Sequence, residues 1–167
     1  MTLQFHKMNG AGNDFVVIDN RALDTNLSKE QIAHLCDRQR GVGADGLLAV
    51  EPAEKGADYK FRYYNADGGE AEMCGNGARC FGKYTAQLSG EGTDHVTFET
   101  IAGTLSADII GDNVRIAMSD PFDLQLHADI SIEGLNHDIH VLNTGVPHTV
   151  TFVDDLEHFD VVKNGAA

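Results

Sequence analysis

The sequence predicts an α+β fold made mostly of antiparallel strands, with two helices in its first part. Three observations support this prediction. Apolar residues alternate with polar ones along many short segments, as in half-buried strands. Two longer segments place their apolar residues at helical spacing instead. A second strand-rich unit begins at a proline-containing segment, so we expect one domain over residues 1–118 and another over residues 119–167.

The N-terminal segment is predicted to form a strand, a tight turn and a second strand. Leu3 and Phe5 lie at alternating positions before the loop 9–14, and Phe15 and Val17 alternate after it. The loop contains two glycines, which permit the backbone conformations that a tight turn requires.

The next segment is predicted to be a helix that is broken at Gly41. Ser28 is followed three residues later by Gln31, which is the spacing of a capping box. Apolar residues then recur at helical spacing as far as Cys36. We therefore expect Cys36 to be buried in the core as a small apolar residue.

A second helix is predicted from Gly77 to Leu88, with Gly90 as its stop signal. The aromatic segment 58–65 before it is predicted to be a strand, because tyrosine and phenylalanine are enriched in sheets. That strand should end in a turn at residues 67–69, since Asp-Gly favours positive φ.

Alternating apolar residues predict further short strands both before residue 119 and after residue 126. The segment 119–126 between these two sets of strands is predicted to be a connector. Asp160 is predicted to cap the first turns of a last helix. The remaining predicted strands cover residues 47–50, 95–100, 104–110, 114–118, 130–134, 137–145 and 148–156.

The composition excludes several classes of partner. Twelve Lys and Arg residues against 26 Asp and Glu residues give a formal charge of −14, which disfavours nucleic acid and anionic membrane surfaces. No apolar run has the length of about 18 residues that a membrane span needs. Three cysteines, an odd number, do not form a disulfide framework, so we expect reduced thiols and a cytoplasmic location. The sequence is compatible with a homodimer but carries no signal for oligomeric state.

The segment NADGGEAEMCGNGARC, residues 65–80, is the strongest candidate for a chemical site. Gly75 and Gly77 allow a ligand to approach the backbone closely, and the predicted helix after them presents unpaired N–H groups and a partial positive charge. A carboxylate or phosphate suits such a position. The same field favours the thiolate form of a cysteine, so Cys74 is placed to be ionised beside an anion site.

Three chemistries use a thiol of this kind, and a simple helix cap with an incidental cysteine is a fourth interpretation. A nucleophile needs a histidine base, which the sequence does not identify. A metal ligand needs closely spaced partners, and the six-residue step from Cys74 to Cys80 fits no zinc pattern. A general base needs only an acidic C–H held against it, with the carboxylate of the substrate bound at the helix N-terminus.

Four segments together resemble the N-terminal part of diaminopimelate epimerases, and they follow the same order along the chain. The thiol segment with its aromatic lead-in is the most specific of them. The segments are KMNGAGNDFVVID (Lys7 to Asp19), CDRQRGVGADGLL (Cys36 to Leu48), YYNADGGEAEMCGNGARC (Tyr63 to Cys80) and NTGVPH (Asn143 to His148).

The resemblance implies a fold of two similar domains, each a curved antiparallel sheet or barrel wrapped around a central helix. It implies inversion at one α-carbon of diaminopimelate, on the route to lysine and peptidoglycan, without pyridoxal phosphate, metal or another cofactor. Cys74 would be one of two thiols that exchange the α-proton, and His148 a supporting active-site residue. The other implied roles belong to Asn13 and Asn65, which would bind the substrate, and to Gly75 and Asn76, which would hold its α-carboxylate.

The second thiol of such an enzyme is not evident in this sequence. Inversion removes a proton from one face of a planar carbanion and returns one to the other, and no cysteine follows Cys80. We therefore expect the chain to be a truncated form that lacks most of a second domain and does not epimerise alone. Gly46 and Val146 stand where some relatives carry polar residues, which leaves the contacts to the distal end of the substrate unassigned.

Two other functional hypotheses remain open at this point. One is a related cofactor-independent isomerase, such as a proline racemase or an isomerase of the phenazine-biosynthesis type, although Asn13 and Asn65 together with MCGNGARC favour diaminopimelate. The other is a non-catalytic binding module that keeps the fold of the first domain. A thiol hydrolase that uses Cys74 would instead form an acylated intermediate.

Overall fold

The strands of the first part of the chain form one continuous sheet in the computed structural model, which describes residues 2–130 and 138–165. Contacts between residues divide the chain into two units, Met1–Met118 and Ser119–Ala167. In the first unit the strand order is β1-β2-β3-β4-β6-β7-β8, and β5 pairs with β4. These strands are β1 (His6–Gly10), β2 (Asn13–Asp19), β3 (Gly46–Pro52), β4 (Tyr59–Asn65), β5 (Glu70–Ala71), β6 (His95–Thr100), β7 (Gly103–Ile110) and β8 (Asn113–Ala117).

Two helices connect the strands that run parallel within this sheet. The pairs β2/β3 and β4/β6 are parallel, and the other pairs are antiparallel. A parallel pair needs a crossover connection, which a helix usually supplies. Helix α1 (Lys29–Cys36) lies in the connection from β2 to β3, and helix α2 (Gly75–Ser89) lies between β4 and β6. The sheet is therefore mixed but mostly antiparallel, as the sequence pattern predicted.

The sheet curls around α2. This helix packs against β1, β2, β3, β4, β6, β7 and β8, so it contacts both edges of the sheet as well as its centre. A single helix touches strands at both edges only if the sheet bends around it. The predicted arrangement of a curved sheet around a central helix is thus present in this unit.

Alternation along the strands divides the core between the two faces of the sheet. Phe15 and Val17 point to the face covered by α2, where they join the larger core cluster. Val16 and Ile18 point to the opposite face and pack with α1, where Cys36 is 3% exposed. Strand β2, which contains these four residues, is therefore buried on both faces, as a central parallel strand usually is.

Three phenylalanines form the centre of the larger cluster. Phe81, on α2, is fully buried, and its ring centroid lies 4.9 Å from that of Phe61 and 5.0 Å from that of Phe98. These distances fall within the range preferred by aromatic pairs. Phe81 therefore anchors the helix to β4 and β6.

The second unit contains a three-stranded sheet in the order β11-β10-β9, formed by β9 (Phe122–Gln125), β10 (His140–Asn143) and β11 (Pro147–Val150). Residues 122–125 were predicted to be part of a connector, but they pair with β10. Helix α3 (Val161–Gly165) follows, and the Asp160 carboxylate accepts a hydrogen bond from the Lys163 N–H, as predicted for a cap. Most of the predicted strand 130–134 lies outside the described residues.

Both helices of the first unit differ from their predicted limits. Helix α1 has the expected capping box at Ser28, but it ends at Cys36, where Asp37 takes an extended conformation. Helix α1 therefore ends before Gly41, the residue at which the sequence predicted its end. Helix α2 begins at Gly75 rather than Gly77 and ends at Ser89, with Gly90 as its cap. Within the described ranges, every helix falls short of the length and mean hydropathy of a membrane-spanning segment.

Replacing Phe81 with Ala is expected to destabilise the first unit by about 3–5 kcal/mol, because it leaves a cavity at the centre of the aromatic cluster. Urea unfolding followed by tyrosine fluorescence measures this unit selectively, since the protein lacks tryptophan and its tyrosines all lie in residues 59–84. Ile101→Ala is the matched control, because that side chain is 60% exposed and its loss should change the free energy of unfolding by less than about 0.5 kcal/mol. Equal destabilisation by the two substitutions would contradict this assignment of the core.

Candidate active site

Cys74 is the N-cap residue of α2. Its backbone is extended, with φ −140° and ψ 118°, and its side chain is half-buried. The Sγ atom accepts a hydrogen bond from the Gly77 N–H at 3.4 Å, and the Cys74 carbonyl accepts one from the Ala78 N–H at 2.7 Å. The thiol therefore lies directly at the positive end of the helix.

The first two N–H groups of α2 lie beside this thiol and are available to a ligand. Gly75 and Asn76 are the first helical residues, so their N–H groups have no partner within the helix. In the described part of the chain no other group accepts from them. A Cβ built on Gly75 would meet no atom within 4 Å, so this side of the turn faces open space.

The opposite side of the same turn is packed against the core. A Cβ built on Gly77 would lie 3.2 Å from Leu48 and 3.5 Å from the ring of Phe15. Gly77 and Ala78 are buried, as is Met73 just before the cap. The helix start is thus fixed on one side and open on the other, which holds the thiol and the free N–H groups in one place.

Asn13 lies next to this turn because the β1–β2 hairpin approaches it closely. A Cβ built on Gly10 would lie only 2.6 Å from the carbonyl oxygen of Asn76, so glycine is needed at the end of β1. Asn13 is the first residue of β2, and its Oδ1 accepts a hydrogen bond from Asn76 Nδ2 at 2.6 Å. The structure thus brings Asn13 and Asn76 together.

Asn65 is the last residue of β4, and its side chain is exposed. Its Oδ1 accepts a hydrogen bond from the Tyr63 hydroxyl at 2.7 Å. Burial, with a contribution from the neighbouring Cys74 thiol, raises the pKa of Tyr63 to about 12. Tyr63 therefore stays protonated near neutral pH and fixes the oxygen of the Asn65 amide, which leaves the NH2 group of Asn65 for a ligand.

Position 46 lies opposite Asn65 in the β3–β4 pair. A Cβ built on Gly46 would lie 2.5 Å from the Tyr64 carbonyl oxygen and 2.7 Å from the ring of Tyr63. This position therefore has no room for a polar side chain of the kind expected in some relatives.

A cluster of four charged residues lies behind Asn13. Arg38 donates to both Asp14 and Asp45 at 2.8 Å, and Lys7 lies 2.7 Å from the Asp14 carboxylate. Hydrogen bonds from Arg38 and Lys7 hold the pKa of the Asp14 carboxyl well below its usual range. Asp45 also accepts a hydrogen bond from Asn13 Nδ2 at 3.1 Å, so the cluster is connected to the candidate site.

His148 lies in the second unit, in β11, and is exposed. Its Nδ1 is 2.7 Å from the carbonyl oxygen of Val146. A carbonyl only accepts hydrogen bonds, so Nδ1 carries the proton and Nε2 is the nitrogen left for other partners. The other expected site residues all belong to the Met1–Met118 unit.

The sequence pattern did not single out three residues whose side chains bond to expected site residues, Tyr63, Asp45 and Arg79, nor Arg38, which bonds to Asp45. The sequence contained a signal that could have identified Tyr63 as a site residue. Residues two apart on a strand point to the same side, and Asn65 was already a candidate. Arg79 donates to the Oδ1 of Asn76, three residues before it on the helix. The contacts of Asp45 and Arg38 depend on how loops meet, which the sequence pattern does not specify.

In the described residues no group of three or more His, Cys, Asp or Glu side chains is placed to hold a metal ion.

Solved structures with the same fold include a probable proline racemase from Agrobacterium radiobacter and a hydroxyproline epimerase from Agrobacterium vitis. Each superposes with a TM-score of 0.67 and covers 98% of this chain, whereas the chain covers 53% of each of them. Sequence identities of 17% and 18% make this a likeness of fold alone. The fold class predicted from the sequence is confirmed.

The sequence itself matches the family model of diaminopimelate epimerase over residues 5–122. The diaminopimelate epimerase of Chromobacterium violaceum is 41% identical over 182 aligned residues, which cover 100% of this chain and 65% of the relative. That of Nitrosospira multiformis is 38% identical over 177 residues, which cover 99% of this chain and 64% of the relative. The chain thus spans less than two thirds of the length of either relative, and it belongs to the diaminopimelate epimerase family.

Proposed function

We propose that this chain carries one half of the active site of a diaminopimelate epimerase, which interconverts the LL and meso isomers without a cofactor. The observation that carries the proposal is the position of Cys74, whose thiol lies at the N-cap of α2 beside the free N–H groups of Gly75 and Asn76. Family membership supports the reaction and the small-molecule substrate. A domain over residues 1–118 would supply this half, and residues 119–167 would begin a second domain.

In this proposal the start of α2 binds the α-carboxylate of the substrate. The N–H groups of Gly75 and Asn76 donate to it, and the partial positive charge at the helix end favours the anion. Asn13 and Asn65 bind other parts of the substrate through their amides. The same N–H groups stabilise the negative charge that moves into the carboxylate when the α-carbon loses its proton.

Cys74 acts as the base in the first step. Its thiolate takes the α-proton, and the bonding electrons remain on the α-carbon as a planar carbanion that is delocalised into the carboxylate. A second acid then delivers a proton to the opposite face, which gives the inverted product, and Cys74 holds the proton that was removed. The reverse reaction uses the two groups in exchanged roles.

Cys36 and Cys80 are poor candidates for the second acid. Each is 3% exposed, and burial raises the pKa of both thiols, that of Cys80 to about 11. We therefore assign the second acid to another part of the complete protein. His148 is proposed as a supporting active-site residue. We also propose a cytoplasmic location, which the three free thiols favour, and a homodimer remains a prediction.

Cys74 is expected to react with iodoacetamide faster than Cys36 or Cys80 at pH 7. The reactive species is the thiolate, and a pKa of about 11 leaves Cys80 about four pH units below half-ionisation. Raising the pH toward 11 should therefore accelerate the labelling of Cys80 most. Mass spectrometry of peptides from a labelling time course measures the three rates. Equal rates at pH 7 would contradict the proposal that Cys74 is the reactive thiol.

Cys74→Ser is expected to reduce exchange of the substrate α-proton with deuterated solvent by about 10²–10⁴-fold in the complete protein, because a serine hydroxyl is far too weak an acid to provide the base. Incorporation of deuterium into LL-diaminopimelate, followed by NMR, measures the rate. Cys80→Ala is the matched control and should keep most of the activity if the protein folds. Exchange of proline instead of diaminopimelate would support the rival isomerase, and exchange unaffected by Cys74→Ser would contradict the proposed base.

Gly75→Pro is expected to raise the KM for diaminopimelate about tenfold or more, because proline removes one of the two N–H donors proposed for the carboxylate. Proline is well tolerated as the first helical residue, and the extended backbone of Cys74 suits a residue before proline. Gly75→Ala is the control, since it adds a Cβ into open space but keeps the N–H group. Steady-state kinetics that show the same KM for the two variants would rule out the Gly75 N–H as a carboxylate ligand.

A further inference from the structure

Four side chains form one continuous line of hydrogen bonds along the candidate site. Arg79 donates to Oδ1 of Asn76, and Nδ2 of Asn76 donates to Oδ1 of Asn13 at 2.6 Å. Nδ2 of Asn13 then donates to a carboxylate oxygen of Asp45 at 3.1 Å. The two asparagines in the middle are the proposed substrate ligands, and the two ends are charged residues to which the proposed function gives no role.

The charges at the two ends determine which way both amides face. A guanidinium only donates hydrogen bonds, so the atom of Asn76 that faces Arg79 must be its oxygen. An ionised carboxylate only accepts, so the atom of Asn13 that faces Asp45 must be its NH2 group. Both requirements leave the Asn76 NH2 group facing the Asn13 oxygen. Every hydrogen bond in the line therefore runs in one direction, from the cation to the anion.

We propose that Asp45 and Arg79 are positioning residues that lock the amides of Asn13 and Asn76 in the orientation that binds substrate. This proposal rests on the proposed function, because it concerns the same site. Each locked amide uses one of its two N–H bonds within the line and keeps the other for the substrate. Together with the backbone N–H groups of Gly75 and Asn76, these donors suit the carboxylate of an amino acid.

Both carboxylate oxygens of Asp45 accept hydrogen bonds from neighbouring groups. Its second oxygen accepts from Arg38 at 2.8 Å, and the oxygen that binds Asn13 also accepts the Asp14 N–H at 3.1 Å. Arg38 spans both carboxylates and offsets the repulsion between them. Without a negatively charged acceptor, a flip of the Asn13 amide would exchange one neutral hydrogen bond for another and would cost little.

Hydrogen bonds in a line of this kind polarise one another, so both ends contribute to the orientation of both amides. Removing the negative charge of Asp45 frees the amide of Asn13 first, because Asn13 bonds to Asp45 directly. Removing the positive charge of Arg79 frees the amide of Asn76 first, because Asn76 bonds to Arg79 directly. Both changes should therefore weaken substrate binding while leaving the Cys74 thiol at the helix cap unchanged.

The kinetic test compares Asp45→Asn with Asp14→Asn in the complete protein. Both substitutions are isosteric and remove one negative charge from the same cluster, but of the two carboxylates only that of Asp45 accepts a hydrogen bond from the Asn13 side chain. Asp14 makes more of the ion-pair contacts, to Lys7 as well as Arg38, so a purely structural role predicts that Asp14→Asn is at least as harmful. We expect Asp45→Asn to raise the KM for LL-diaminopimelate about tenfold, with kcat changed less than about threefold, and Asp14→Asn to change KM less than about threefold.

A second variant and a second readout keep the proposal testable if Asp45→Asn folds poorly. Arg79→Gln replaces an obligatory donor with an amide that can also accept, and it should raise KM in the same way. In NMR spectra of the protein labelled with ¹⁵N-asparagine, one side-chain proton of Asn13 should be shifted downfield and exchange slowly. Asp45→Asn should speed that exchange about tenfold, whereas Asp14→Asn should leave it within about threefold.

The outcomes separate this proposal from the proposed function. A wild-type protein that does not turn over diaminopimelate contradicts the proposed function, and the NMR comparison then decides the amide orientation alone. Equal KM values for Asp45→Asn, Arg79→Gln and the wild type in an active enzyme would overturn the positioning role. Unchanged exchange of the Asn13 amide in Asp45→Asn would overturn it as well.

Discussion

The first turn of a helix leaves N–H groups that the helix itself cannot satisfy, and this constraint governs where the site lies. Helix α2 is surrounded by its sheet, so any unsatisfied group placed in the core would cost free energy. The Cys74 sulfur satisfies the N–H of Gly77 only. The N–H groups of Gly75 and Asn76 must therefore face solvent or a ligand, and the open side of the turn at Gly75 provides that exposure. A helix that packs in the core of the first unit thus begins with two backbone donors that are open to a ligand.

The charge distribution around this turn differs from that of the chain as a whole. The protein carries a formal charge of −14, which disfavours the approach of an anionic substrate. Near the site, however, Arg79 contacts Asn76, and Lys7 and Arg38 neutralise the two carboxylates behind Asn13. The two carboxylates behind Asn13 are therefore paired with cations. This pairing reduces the repulsion that they would exert on a carboxylate bound at the N–H donors.

Local signals in the sequence predicted the two helices of the first unit, most of its strands and the turn at Cys74, whereas the curved sheet around a central helix and the roles of the other site residues came from the family resemblance. The capping box at Ser28, the alternation around Phe15 and the glycines after Cys74 each act within a few residues. Helix α2 starts two residues before the predicted position, because glycine has a low helix propensity and the cap at Cys74, rather than the composition of the turn, sets the start of the helix. The pairing of residues 122–125 and the Asp45–Asn13 contact were missed because they join distant parts of the chain. Contacts of that kind follow from the tertiary fold, which a single sequence does not reveal through periodicity.

The identity of residue 74 shows a conflict between helix stability and chemistry. Serine, threonine, aspartate and asparagine are the preferred N-caps, because their oxygen atoms accept the hydrogen bonds of the first turn well. Sulfur is a weaker acceptor, and its distance of 3.4 Å from the Gly77 nitrogen is longer than a normal N–H···O bond. A cysteine at this position therefore gives up some helix stability. Packing gives only part of the reason for that choice, since the side chain contacts the larger core cluster but is only half-buried, and serine is nearly the same size. The proposed function gives a reason for it, because a proton-transfer role at this position requires a thiol rather than a hydroxyl, and local rules of helix formation are often broken where a residue has a chemical role.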